Sequence, residues 1–235
     1  MQNMQLITRE LINEMLTPEE EREWMTYTAH LPKHELEEAR EHLVSAGVIT
    51  KALVRVMSEG AAPESEAVQK LMHQHNQLML RYRLRERLVT RGNWNEHITR
   101  KVHAMGMKLV LRMASPDGSV SGEQVFNFCC RARQASKWGK ALDRIASEAM
   151  ALEARHASAH SAAAQALAED LAEVCEAHSL GDPALYGRWY IEFGMLLVDD
   201  GWVPVDEPHR KAWALLVDAV EASRRPAGLR AAAAW

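Results

Sequence analysis

Chemistry in this 235-residue chain would have to come from a few groups of residues. Glu153 and His156 make one Glu-x-x-His, and His156 and His160 stand four apart, so on a continuous helix they share a face. Carboxylate and imidazole groups on one helix face are how helical proteins hold zinc or iron. A di-iron centre, however, needs a second Glu-x-x-His and two further glutamates on facing helices, and the sequence has no second copy. His73 and His75 are two apart and point to different faces of a helix. No metal and no other cofactor is expected. For covalent or phosphoryl chemistry the sequence would need a nucleophile elbow or a glycine-rich loop. It contains no G-x-S-x-G, no G-x-x-x-x-G-K-[ST] and no G-x-G-x-x-G. Binding is therefore expected rather than catalysis.

Side chains suited to binding are more plentiful. Met79, Tyr82 and Trp94 recur in the first half of the chain, and Trp189, Tyr190 and Phe193 in the second, where central and closing helices should meet. Rings and thioethers on an apolar stripe ordinarily form core. The functional alternative is a groove lined for a flat aromatic ligand, oriented by a few polar groups. His75 and His97 lie on or near apolar faces, where a histidine is either hydrogen-bonded core or a partner for the amide and phenol groups of a ligand. The candidate ligand-binding residues are thus His75, Met79, Tyr82, Trp94, His97, Trp189, Tyr190 and Phe193. Arg81, Arg83, Arg85 and Arg87 form either a solvated helix end or a clamp for a ligand carboxylate.

Composition narrows the setting. The net charge is −4, with Lys and Arg spread along the chain, so there is no electrostatic footprint for nucleic acid or an anionic membrane. Three cysteines, two of them adjacent as Cys129 and Cys130, do not make a disulfide framework. The start of the chain is acidic and lacks the pattern of a signal peptide, and no apolar run reaches the roughly 18 to 20 residues of a membrane span. A cytoplasmic protein, monomeric by preference, is expected.

The elements that must position these residues are helices. Val68, Leu71, Met72, His75, Leu78, Met79 and Tyr82 fall three or four apart, which predicts a helix over 64–82 behind Pro63. The same spacing returns 96 residues later as Ala164, Leu167, Ala168, Leu171, Val174, Cys175 and His178, with Ser65 and Gln69 meeting Ser161 and Gln165. Thr17 with Glu20, and Ser121 with Gln124, are capping-box pairs, each followed by a ring expected to be buried, Trp24 or Phe128. Further helices are predicted over 93–113 and 207–224, the latter with Trp213, Leu216, Val217 and Val220 inward. No segment reads as a strand hairpin, and 201–205 reads as an exposed connection. The fold class is all-α: a packing helix over 1–15, one multi-helix unit over 16–114, a second over 119–225 after the turn-rich Ser115-Pro116-Asp117-Gly118, and a tail over 226–235.

The string Gly60-Ala61-Ala62-Pro63-Glu64-Ser65-Glu66-Ala67-Val68-Gln69, ahead of an amphipathic helix, resembles the TipAS-type antibiotic-binding domain, with its pattern of roughly G-x-x-P-x-S-x-x-x-Q-x-L. Ser161, Gln165 and Leu167, followed by Gly181-Asp182-Pro183, are similar to the same domain's helix and its Gly-Asp-Pro turn. Two such units in one chain resemble the albicidin-binding resistance proteins, over about 16–225. The resemblance implies a tandem repeat of globin-like, TipAS-like units that sequesters an antibiotic without chemistry. Such sensors commonly follow a DNA-binding winged helix. Only about 15 residues precede the first unit here, so a free-standing binder is expected. The rival expectation is a helical ligand sensor or protein-interaction module of a transcriptional regulator lacking its DNA-binding domain. His75 and Tyr82 meet Leu171 and His178 across the repeat, so two clefts would differ chemically.

Overall fold

The structure, a computed structural model, describes residues 13–29, 32–83, 101, 105–106, 108–112, 114–115, 118–198 and 201–224. Most of these residues are helical. The chain divides into two compact units, the first ending at Ala132 and the second running from Arg133 onward. The expected turn does form, since the Gly118 amide donates to the Ser115 carbonyl at 3.1 Å and Gly118 takes φ +68°. The helix beyond that turn nevertheless belongs largely to the first unit, and the division falls inside it.

In the first unit, α1 (Pro18–Ala29) opens on a reciprocal capping box. The Thr17 amide donates to Glu20 Oε2 at 2.8 Å, and the Glu20 amide donates to Thr17 Oγ1 at 3.3 Å. Lys101 Nζ reaches both Glu20 oxygens at 2.7 and 2.8 Å. The Lys101 hydrogen bond, followed by that of the Thr17 amide, holds the Glu20 carboxyl down at about 2. Trp24 is half-buried against a small core of Leu16, Met105 and Leu109. Next come α2 (Lys33–Ser58) and α3 (Glu66–Arg81). The latter starts two residues later than the apolar spacing predicts, because Ser65 takes the extended backbone of an N-cap. The last helix of this unit is α4 (Gly122–Ala135), and its capping box also closes: the Ser121 amide donates to Gln124 Oε1 at 2.8 Å and the Gln124 amide to Ser121 Oγ at 3.2 Å. Phe128 is buried, as its position after that box predicts.

The second unit holds α5 (Lys137–Glu153), α6 (Ala162–Ala177), α7 (Pro183–Phe193) and α8 (Glu207–Arg224). The last of these in the chain, α8, has the bounds the sequence predicts and supplies the centre of the core, with Trp213, Leu216, Val217 and Val220 all buried. It packs against α5, α6 and α7. Asp182 caps α7 by accepting from the Ala184 and Leu185 amides at 2.9 and 3.0 Å. Burial raises the Asp182 carboxyl, but the Arg224 guanidinium and those two amides outweigh it, so the carboxyl sits below the usual range. At Gly187 the two helices come close enough that a Cβ would meet Val217 Cγ2 at 2.6 Å, which is why a glycine stands there.

One expectation is corrected here. Met195–Val198 (β1) and Gly201–Pro204 (β2) form an antiparallel hairpin with Met195 opposite Pro204 and Val198 opposite Gly201. The stretch read as an exposed connection is therefore half of a ribbon. Strands of four residues are too short to show alternation, and the Asp-Gly signal at 200–201 was the available clue. The helix expected over 93–113 lies mostly outside the described residues; those described at 105–106 and 108–112 are helical. Of the packing helix expected over 1–15, residues 13–15 are helical and the rest lie outside the described residues, as does the tail expected over 226–235.

The two units share a local geometry in residue-by-residue register. The Ala61 amide donates to Val56 O at 2.9 Å, and the Ala157 amide to Leu152 O at 3.0 Å. Gly60 and His156 both take left-handed backbone, at φ +75° and +55°; Arg83 and Ser179, both grouped with the second unit, do so at +47° and +56°. Each pair stands 96 residues apart.

Candidate functional site

The turn and helix that repeat are fastened by a glutamine side chain. Gln69 Nε2 donates to Pro63 O at 2.8 Å and to Ala132 O at 2.9 Å. Gln165 Nε2 donates to Ala159 O at 2.6 Å and to Ala219 O at 3.0 Å. In each unit one amide group thus fixes the turn before the central helix and ties it to a fully buried alanine on a later helix, Ala132 of α4 or Ala219 of α8. An amide has two N–H donors, and here each is used on one carbonyl. At its far end α3 is closed by Tyr82, whose amide donates to the Leu78 carbonyl at 3.2 Å.

At that end of the first unit there is an open cleft of about 500 Å³. Glu37, Arg40, Glu41, Val44 and Ser45 line it from α2, with Arg81 and Tyr82 from the end of α3. Tyr82 is 7% exposed and is backed by Ala46, Leu78 and Val110. Its hydroxyl donates to Glu41 Oε2 at 3.3 Å. The His42 ring meets it edge-on, with centroids 5.4 Å apart and planes at 73°, and the Arg81 guanidinium lies 5.3 Å from its centroid. Tyr82 is therefore held on three sides by α2, by the core and by a cation.

Of the expected site residues, the first unit brings Met79 and Tyr82 into its core margin, with His75 half-buried on the same helix. Trp94 and His97 lie outside the described residues. Trp189, Tyr190 and Phe193 all stand on α7 in the second unit, where they join Tyr186 and Trp213. Tyr190 packs on Trp213 at 4.6 Å between centroids, and Tyr186 lies 5.9 Å from Trp213 and 6.0 Å from Trp189. Arg133 places its guanidinium 5.9 Å from the Tyr190 ring. Tyr190 is 6% exposed and Trp213 1%. These rings fill each other's space, with half-buried Trp189 and Phe193 at the margin, 6.4 Å apart. Sequence reading missed the α2 contribution of Arg40, Glu41, His42 and Val44. The usable signal was the i, i+4 spacing of Arg40 and Val44, which puts a cation and an aliphatic side chain on one flank of a helix.

The Glu153, His156 and His160 grouping comes out differently from its helical reading. Helix α5 ends at Glu153, so His156 sits in the left-handed turn that Gly60 occupies in the first unit, and His160 lies in the next turn. They share no helix face. Among the described residues no group of three or more His, Cys, Asp or Glu side chains could hold a metal ion. All three cysteines are free. The Cys129 thiol is pushed up to about 12 by burial and by the neighbouring Cys130, so at neutral pH this half-buried thiol is protonated.

No described helix is long and apolar enough to cross a membrane. No family model, curated protein or solved structure matches the chain.

Proposed function

We propose that this protein is a non-catalytic binder of a small aromatic compound, built from two TipAS-like units in tandem, and that it confers antibiotic resistance by sequestering the drug. The observation that carries the reading is the cleft at Tyr82. Its volume of about 500 Å³ lies in the range of ligand sites, roughly 300–1,000 Å³, and Tyr82 and Val44 line it together with Arg40, Arg81, Glu37, Glu41 and Ser45. The doubled unit is supported by the glutamine staples and left-handed turns that recur 96 residues apart, built from the very residues on which the family resemblance rests. Affinity would come from placing rings against Val44 and Tyr82, with Ala46, Leu78 and Val110 behind Tyr82 as a fixed wall and the polar groups setting orientation. Trp189 and Phe193, at the margin of the second unit's ring cluster, are the candidate contacts there.

The experiment is a tryptophan-fluorescence titration of the intact chain with gyrase-directed antibiotics such as albicidin and with thiopeptides. Saturable quenching with a Kd below about 1 μM, or about −8 kcal/mol, is the expected result. Growth protection by the protein without any detectable binding would contradict it.

A second reading, a protein-interaction module, is favoured by one observation. Leu36, Val44 and Val48 of α2 are 44%, 44% and 67% exposed, more apolar surface than a solvated helix needs. A stoichiometric partner that co-purifies with the chain, together with indifference to every antibiotic, would select this reading.

A further inference from the structure

Resting on the small-molecule reading, we propose that the Tyr82 cleft selects compounds carrying an oxyanion head group on an aromatic body, with Arg40 and Arg81 as the clamp. The argument is an inventory of charges around the cleft. Of its two carboxylates, Glu37 is ion-paired with Lys33 at 3.7 Å and Glu41 accepts the Tyr82 hydroxyl. Its two guanidiniums are not matched in this way. Arg40 makes no ion pair or hydrogen bond among the described residues, and Arg81 contacts the Tyr82 ring face instead of a carboxylate. The lining holds as many carboxylates as guanidiniums, and what it leaves uncommitted among the described residues are the N–H donors of Arg40 and Arg81.

The geometry suits a planar anion. The Arg81 guanidinium carbon lies 5.3 Å from the Tyr82 ring centroid, and a guanidinium whose N–H groups are not committed to a carboxylate can bind a carboxylate or phosphate with two parallel hydrogen bonds. Arg40 approaches from α2 and Arg81 from the end of α3, so an oxyanion between them would be contacted from both helices that form the cleft. Val44, 44% exposed, and the edge of Tyr82 offer apolar surface next to that position, where an aryl group attached to the anion would lie. Neutral compounds of the same shape would leave both cations unmatched. The second unit has no counterpart of this clamp, because His178 takes the place of Tyr82 and Ala177 that of Arg81.

The test is isothermal calorimetry on the intact chain with three probes: 4-benzamidobenzoate, its methyl ester, and 4-benzamidophenyl phosphate. The acid should bind at least tenfold more tightly than the ester, and the phosphate arm shows which oxyanion the clamp prefers. R40Q and R81Q should each weaken the acid several-fold, and the double variant should bring it to the level of the ester. K51Q, on α2 but outside the cleft, should change nothing. Circular dichroism of each variant separates loss of binding from loss of fold. Equal binding of acid and ester, or a double variant that retains the preference for acid, overturns the clamp. If all three probes fail while an antibiotic binds, the clamp is wrong and the small-molecule reading stands. If the antibiotic fails as well, both fall.

Discussion

Helices α3 and α6 are each fastened at their start by a glutamine, Gln69 or Gln165, yet their surroundings differ. In the second unit the rings near the helix are spent on the core: Tyr186 and Tyr190 close on Trp213, which is 1% exposed. In the first unit the ring at the end of the helix, Tyr82, forms the wall of an open cleft with charged neighbours. The capping serines differ too. Ser161 accepts from the Ala164 amide at 3.2 Å, whereas Ser65, with nearly the same backbone angles, makes no cap and buries its hydroxyl without a partner. The same turn and glutamine bonds thus occur beside a packed ring cluster in one unit and beside an open cleft in the other, so the residues that set this local geometry are separable from the rings around it.

The sharpest way to break this comparison is at the rings. Trp213→Ala removes the centre of a filled cluster and should cost roughly 3–5 kcal/mol, the range for large buried aromatics. Urea unfolding measures it, and a loss under about 1 kcal/mol would mean the cluster is not core. Next come the staples. Gln69→Leu and Gln165→Leu each remove two hydrogen bonds and should cost about 1–3 kcal/mol apiece, alike in both units if the framework is shared. The smallest effect is the most discriminating. Ser161→Ala should cost about 1 kcal/mol as a lost N-cap, whereas Ser65→Ala should be neutral or slightly stabilising, because it removes an unsatisfied buried hydroxyl. Thermal melts of the two variants side by side would show the difference in sign, and equal losses would sink it.

Much of the helical frame was legible before the structure. The stripe from Val68 to Tyr82, the matching stripe from Ala164 to His178, the bounds of α8 and both capping boxes follow from local spacing, which is the scale on which helices are specified. The hairpin was not legible, because its strands are four residues long and its base is closed by a tertiary bond from the Val205 amide to Gly194 O at 3.1 Å. Half of the cleft was hidden for a related reason. Helix α2 leaves Leu36, Val44 and Val48 exposed, so its apolar residues do not announce a single inward face, and Arg40 and Glu41 could not be assigned to Tyr82 by spacing alone. The Glu153–His156–His160 grouping misleads in the opposite sense. Its helical spacing is real in sequence, but the chain turns at His156 to repeat the geometry of Gly60.

The central claim is that the Tyr82 cleft takes a small aromatic compound. Calorimetric titration of the intact chain and of Tyr82→Leu with the antibiotic that quenches its tryptophans tests it most directly. The account predicts a Kd below about 1 μM for the unaltered chain and at least a tenfold weakening for the folded variant, about 1.4 kcal/mol. Identical affinities for the two proteins would contradict it.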